Sequence, residues 1–140
     1  MADLPEIASL WIGGRLSWLE QLCLVSFAHA GHPTVLYSYE PIPNLPEGVE
    51  GRDANEVFPA EPMYRHKRTG SPAIHADLFR LHLLKETDSI WVDADMYCWR
   101  PFDYPGAHVF GWEKPGLICN AVLGLPRDSA ALDMALAFFE

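Results

Sequence analysis

The run Ser89-Ile90-Trp91-Val92 leads straight into Asp93-Ala94-Asp95. A short apolar run bounded by polar residues reads as a buried strand, here with two carboxylates at its C-terminal end. In open α/β sheets, ligands bind outside the carboxyl ends of the strands. Two carboxylates one residue apart in a turn can share a hard divalent cation through oxygen ligands suited to Mg²⁺ or Mn²⁺. A solvated acidic turn has the same spacing, so the neighbouring residues decide between the two.

The segment before this strand reads as a helix. Ser71-Pro72 supplies an N-cap and a proline at the first helical position, and the helix runs to about Lys85 before Glu86-Thr87-Asp88 hands over to the strand. At roughly 100° per residue, Ala73, Ile74, Leu78, Leu81 and Leu84 share one arc. Asp77 falls inside it and Arg80 at its edge, one turn apart, so this pair is expected to face protein. His75, His82, Lys85 and Glu86 gather on the opposite face, where the two histidines are expected to meet water. An exposed Asp-x-x-Arg pair contributes little, whereas a buried one costs desolvation, so burial favours a functional pair.

Farther out, the N-terminal part reads as β-α-β. Ile7 to Gly14 is a buried strand closed by a glycine turn, Ser17 to Ala30 has helical apolar spacing, and Thr34 to Tyr39 is a second strand. This opening implies a parallel sheet. Pro41, Pro43, Asn44, Pro46 and Gly48 forbid regular structure, and a second irregular stretch from Pro59 to Gly70 carries the basic run Arg65-His66-Lys67-Arg68. After the Asp-x-Asp come two more strands, His108 to Trp112 and Leu117 to Leu125, and an amphipathic helix from about Asp128. The sequence stops at Glu140 within that helix without a stop signal, as a chain truncated at its C-terminus would.

With 140 residues, 49% of them hydrophobic, the chain has enough material for one packed domain over 1–140 and too little for two. A formal charge of −9 would repel nucleic-acid phosphates and an anionic membrane, so an anionic ligand needs a local cation. Cys23, Cys98 and Cys119 lie far apart without a C-x-x-C pair, which points to reduced cytoplasmic thiols. No signal peptide is legible, and no apolar run approaches the ~20 residues of a membrane span. The expectation is a cytoplasmic protein with no transmembrane segment, which leaves room for peripheral membrane contact.

The stretch from 71 to 102, with Ala76-Asp77-Leu78-Phe79-Arg80, Ile90-Trp91-Val92-Asp93-Ala94-Asp95 and Arg100-Pro101-Phe102, resembles the sugar-binding D-x-D region of glycosyltransferase family 32, to which the large glucosylating bacterial toxins are related. Trp11-Ile12-Gly13-Gly14 is similar to that family's first strand, and Asn120-Ala121-Val122-Leu123-Gly124 to its strand after the motif. Asp88-Ser89 departs from the usual Gly-Gly. The resemblance implies a GT-A (Rossmann-like) α/β fold, with a mostly parallel central sheet and flanking helices. It further implies metal-dependent, retaining transfer of a sugar from a nucleotide diphosphate donor, a UDP-sugar, to a glycan or other acceptor. By that analogy Asp95 ligates Mn²⁺ or Mg²⁺, Asp93 contacts the ribose or the metal through water, Asp77 accepts donor-sugar hydroxyls, and Arg80 brings charge to the sugar and phosphate. Relatives often place a further metal ligand and acceptor residues in the later half of the chain.

Trp11 is a candidate border of the nucleotide base, against the plainer reading of a core tryptophan. Asn120 is a candidate donor or acceptor contact, against a turn former. Arg65 to Arg68 are set against a solvated basic loop. None of these residues is assigned as the catalytic group. Two rival readings remain. A strand followed by Asp-x-Asp also opens the haloacid-dehalogenase-like phosphatases, whose Mg²⁺ site needs a later acidic pair, and here the aspartates after Lys114 are the isolated Asp128 and Asp133. A noncatalytic sugar-nucleotide-binding fragment is the other.

Overall fold

The computed structural model describes residues 3–104 and 106–139. It is an α/β fold with six strands in one mixed sheet: β1 (Ile7–Trp11), β2 (Thr34–Ser38), β3 (Glu50–Asp53), β4 (Ile90–Val92), β5 (Val109–Lys114) and β6 (Leu117–Gly124), in the order β3-β2-β1-β4-β6-β5. The helices are α1 (Trp18–His29), α2 (Ala73–Glu86) and α3 (Ala130–Phe138), with a short 3₁₀ turn at Ala54–Glu56. The three pairings among β3, β2, β1 and β4 are parallel. β6 runs antiparallel to both β4 and β5, so the parallel half expected from the β-α-β opening is joined to an antiparallel hairpin.

Alternation along the strands sends side chains to two cores. Ala8, Leu10, Val35, Tyr37 and Trp91 face one side, where they pack with Phe79, Leu83 and Leu84 of α2 and Leu132 of α3. On the other side Ile7, Ile90 and Val92 pack with Phe27 of α1, while Leu36 packs with Leu24. Helices thus cover both faces, the doubly wound arrangement. β1 leads through α1 to β2 on one side, and β4 returns to the opposite side of β1. The chain therefore switches direction between β1 and β4, and that crevice is the place where such sheets take ligands.

Local chemistry sets the element ends. The Ser17 hydroxyl caps α1, accepting from the Leu19 amide at 3.3 Å and donating to the Glu20 carboxylate, a pair in capping-box spacing joined side chain to side chain. Gly13 and Gly14 have φ of 143° and 80°, values that favour glycine, and they end β1 as its sequence predicts. Asn44 lies in the proline-rich stretch, and its side-chain amide holds both the N–H and the C=O of Leu16 at 2.8 Å, fixing the turn into α1. α2 starts at Ala73, with Pro72 in the cap position, one residue later than expected. The Ser71 hydroxyl still accepts from the Ala73 amide at 3.2 Å.

The orientation of α2 corrects the helical-wheel reading. Its burial centres on His75, Phe79 and Leu83 and extends to Leu78, Arg80 and Leu84. His75, expected in water, has 0% exposure, and His82 stacks on Phe58 at 4.5 Å with 11° between the rings. The cause is the segment 57–65, which folds back over this face of the helix and brings Phe58 and Tyr64 against the His75 ring. Asp77 was expected to face protein, yet its side chain is 51% exposed.

Candidate functional site

Asp93 follows β4 directly and Trp11 is the last residue of β1, so both stand at the switch-point crevice. A cavity of about 480 Å³ opens there between Trp11, Ser17 and Glu20 on one side and Arg80, Asp93 and Asp95 on the other. The Met96 amide donates to the Asp93 carbonyl at 3.1 Å and closes the Asp-x-Asp into a turn. The Asp93 amide donates to the Ala121 carbonyl at 2.8 Å and ties that turn to β6. Beyond it, the Cys98 amide donates to the Ser26 hydroxyl at 2.8 Å, and the buried His32 accepts the Phe102 amide at 2.9 Å through Nε2. The acidic turn is thus held against both β6 and α1.

Arg80 sits at the centre of the constellation. One terminal nitrogen donates to Oδ1 of Asp93 at 3.0 Å and lies 3.6 Å from Asp77, while the other donates to the Asn120 carbonyl at 3.0 Å. The guanidinium stands over the Trp91 ring, 4.8 Å from its centroid, and the indole N–H of Trp91 donates to the same Asp93 oxygen at 2.8 Å. A planar fork makes these contacts at once where an ammonium would not. Because Oδ1 of Asp93 already takes two donors, Oδ2 is the oxygen left for a ligand. Asp95 is exposed and makes neither a hydrogen bond nor an ion pair among the described residues.

The expected residues come together unequally. Trp11, Arg80, Asp93 and Asp95 line the cavity. Asp77 meets the group only through Arg80, and Asn120, an exposed residue, through its main-chain carbonyl rather than its amide. Two participants went unread in the sequence. Trp91 looked like strand core, and Glu20, 93% of which is buried in view of its 7% exposure, also lines the cavity. The Ser17-x-x-Glu20 capping-box spacing was the available signal for Glu20. The Cys23 thiol is pushed up by burial, then by the charges of Asp95 and Glu20.

Among the described residues no three His, Cys, Asp or Glu side chains gather closely enough to hold a metal unaided. Asp93 and Asp95 instead offer two carboxylates, a set suited to a cation that keeps water and binds substrate phosphates as well. The indole N–H of Trp11 and Nε of Arg80 are buried without a hydrogen-bond partner among the described residues. A second cavity of about 370 Å³ lies on another side of Trp11, between Gly13, Gly14 and Tyr39 and the segment that carries Met63 and Arg65. Comparison of the chain with family models, curated proteins and solved structures finds no match. No helix among the described residues is long and apolar enough to cross a membrane.

Proposed function

We propose that this chain is a GT-A type glycosyltransferase domain that binds a nucleotide diphosphate sugar, a UDP-sugar, together with Mn²⁺ or Mg²⁺ and passes the sugar to a glycan or other acceptor. The observation that carries this reading is the convergence of Trp11, Arg80, Asp93 and Asp95 on one cavity at the β1/β4 switch point. Trp11 borders two adjoining cavities, an arrangement with room for a base on one side and a diphosphate on the other.

Asp95, free of partners among the described residues, would hold the cation directly, with Asp93 contributing Oδ2 or a water-mediated contact. The cation's chemistry is Lewis-acid stabilisation of the charge that grows on the diphosphate as the glycosyl bond breaks. It also answers an electrostatic need, since a chain with net charge −9 would otherwise repel its donor. Arg80 is engaged with Asp93 and Asn120, so it acts first by orienting Asp93. By the family analogy the half-exposed Asp77, which lies beside Arg80 at the margin of the cavity, would accept sugar hydroxyls.

The phosphatase reading loses support from the surroundings of the later acids. Asp133 is paired with Lys85 at 2.7 Å, and neither Asp128 nor Asp133 lines the cavity.

The deciding experiment is a melting assay with a panel of nucleotide sugars, each with Mn²⁺ and with a chelator, followed by measurement of nucleoside diphosphate release. UDP with Mn²⁺ should raise the melting temperature, and Asp95→Ala should remove the metal-dependent part while the fold persists. An identical shift under chelation removes the metal from the proposal, and no shift with any nucleotide sugar sinks it. Phosphate release from an aryl phosphate would favour the phosphatase, and binding without turnover the noncatalytic module.

A further inference from the structure

His75 is fully buried on α2, and both of its ring nitrogens are used. The Tyr64 amide donates to Nδ1 at 3.3 Å, so Nδ1 is the unprotonated nitrogen. Nε2 therefore carries the proton and donates to the Tyr39 hydroxyl at 2.8 Å, which in turn donates to the Phe58 carbonyl at 2.9 Å. The direction of every bond follows from the neutral Nε2–H tautomer. Phe58 lies 4.9 Å from His75 and 4.5 Å from His82, and Tyr64 stacks on both His75 at 6.0 Å and Phe58 at 6.4 Å, so the three rings form one cluster. This single imidazole thus joins α2, the residue after β2 and both ends of the segment 58–64.

The segment so held supplies Ala60, Glu61, Met63 and Arg65 to the wall of the 370 Å³ cavity opposite Trp11, Gly13 and Gly14. Its tip folds on itself through Arg65 to the Gly70 carbonyl at 3.0 Å and the His66 amide to the Ser71 carbonyl at 2.8 Å. Between the tip and the 3₁₀ turn, the first half of the segment is held by Val57 and Phe58 packed on the core, by Phe58 stacked on His82 and by the Ala60 amide donating to Asn55 Oδ1 at 3.0 Å, while the Tyr64 end is tied to α2 through His75.

We infer that the neutral His75 imidazole is a latch that holds the segment 57–65 as the movable wall of the cavity beside Trp11, and that protonation of the ring releases that wall. A proton on Nδ1 would oppose one N–H to another and remove the acceptor that the Tyr64 amide uses. The groups facing the ring offer no compensation. They are Tyr39 after β2, and Tyr64 and the Arg65 cation on the segment; His82, two turns along α2, stacks on Phe58 instead, and Asp53 acts on Tyr39 from the end of β3. Burial and then Arg65 hold the His75 pKa below its ordinary value, so the latch is closed at neutral pH. Tyr39, pushed up to about 12 chiefly by burial, remains a donor throughout. This inference does not depend on what the cavity binds.

The test follows imidazole nitrogen shifts and amide exchange by NMR in the wild-type chain from pH 8 to pH 5, without added ligand. Nδ1 of His75 should show an unprotonated nitrogen at pH 8. As the ring titrates, the protection of the Tyr64 amide, corrected for intrinsic exchange, should fall by about tenfold for each unit by which the ring pKa is depressed. The β1 amides should keep theirs. His75→Phe, which keeps an aromatic ring but lacks both nitrogens, should lose Tyr64 protection already at pH 8 and speed tryptic cleavage between Arg65 and Arg68. Titration of His75 with Tyr64 still protected would overturn the latch, as would loss of that protection at a pH where His75 does not titrate or simultaneous loss at β1. Should the variant fail to fold, the wild-type titration decides alone.

Discussion

The indole N–H of Trp91 donates to Oδ1 of Asp93, 2.8 Å away and two residues along the same chain. Trp91 is 2% exposed, so the donor end of the bond is fixed in the core and orients the partly exposed carboxylate. Trp91→Phe keeps a ring against Phe79 but removes this donor. The expected result is a weakening of Mn²⁺-dependent UDP binding by about tenfold, the worth of one hydrogen bond to a charged group, together with a lower melting temperature of the ligand-free chain, because the smaller ring leaves a void in the core. Equal affinities by titration calorimetry would show that Asp93 does not need the orientation.

Arg80→Lys retains a positive charge but not the fork that spans Asp93 and the Asn120 carbonyl. It should cost about 1–3 kcal/mol of stability through the lost charge-assisted hydrogen bond, read from urea unfolding. The loss should be accompanied by weaker metal-dependent binding, since the Asp93 carboxylate loses one of its two anchors.

Asp77→Asn is expected to leave stability nearly unchanged, because the side chain is half exposed and 3.6 Å from its partner. Affinity for a sugar nucleotide should fall more than affinity for the bare nucleotide. Equal losses in paired titrations would remove the assignment of Asp77 to sugar hydroxyls.

Burial also sets a pH dependence of stability. His75 and His82 both have folded-state pKa values below their ordinary value, burial being the larger cause in each, with Arg65 adding to it at His75 and Glu86 opposing it at His82. The unfolded chain then binds protons first as pH falls. Stability is full above about pH 6.5 and declines below it toward the depressed folded-state values. Urea midpoints measured at pH 8, 7, 6 and 5.5 should show that decline, and His75→Phe should flatten it.

The parallel half of the sheet and the acidic turn were legible because they depend on local chemistry: β-branched and aromatic runs, a glycine turn after Trp11, and carboxylates after an apolar strand. β3 was not, because Glu50-Gly51-Arg52-Asp53 carries no apolar alternation. It lies at the sheet edge, where charge is tolerated, and is secured by Arg52 bonding to Glu50 at 2.8 Å and Glu6 at 3.2 Å. The wheel for α2 failed for a tertiary reason. It took His75 and His82 as polar, whereas aromatic rings arriving from 57–65 make that face interior, and no periodicity within the helix records a segment that folds back from elsewhere. At the site, the alignment of Asp93 and Asp95 came from strand and turn, but the roles of Trp91, Glu20 and the Asn120 carbonyl needed the third dimension.

The chain has five tryptophans, of which Trp18, Trp99 and Trp112 are 73%, 85% and 63% exposed and Trp11 is partly covered. Trp91 alone is enclosed, with a cation over its ring and a carboxylate on its nitrogen. Charges so placed shift indole emission, so any event that draws Asp93 or Arg80 away recolours this one fluorophore against a background of solvent-relaxed ones. The protein thereby carries its own optical probe, with no label required, and stopped-flow excitation at the red edge of indole absorption can time the filling of the crevice.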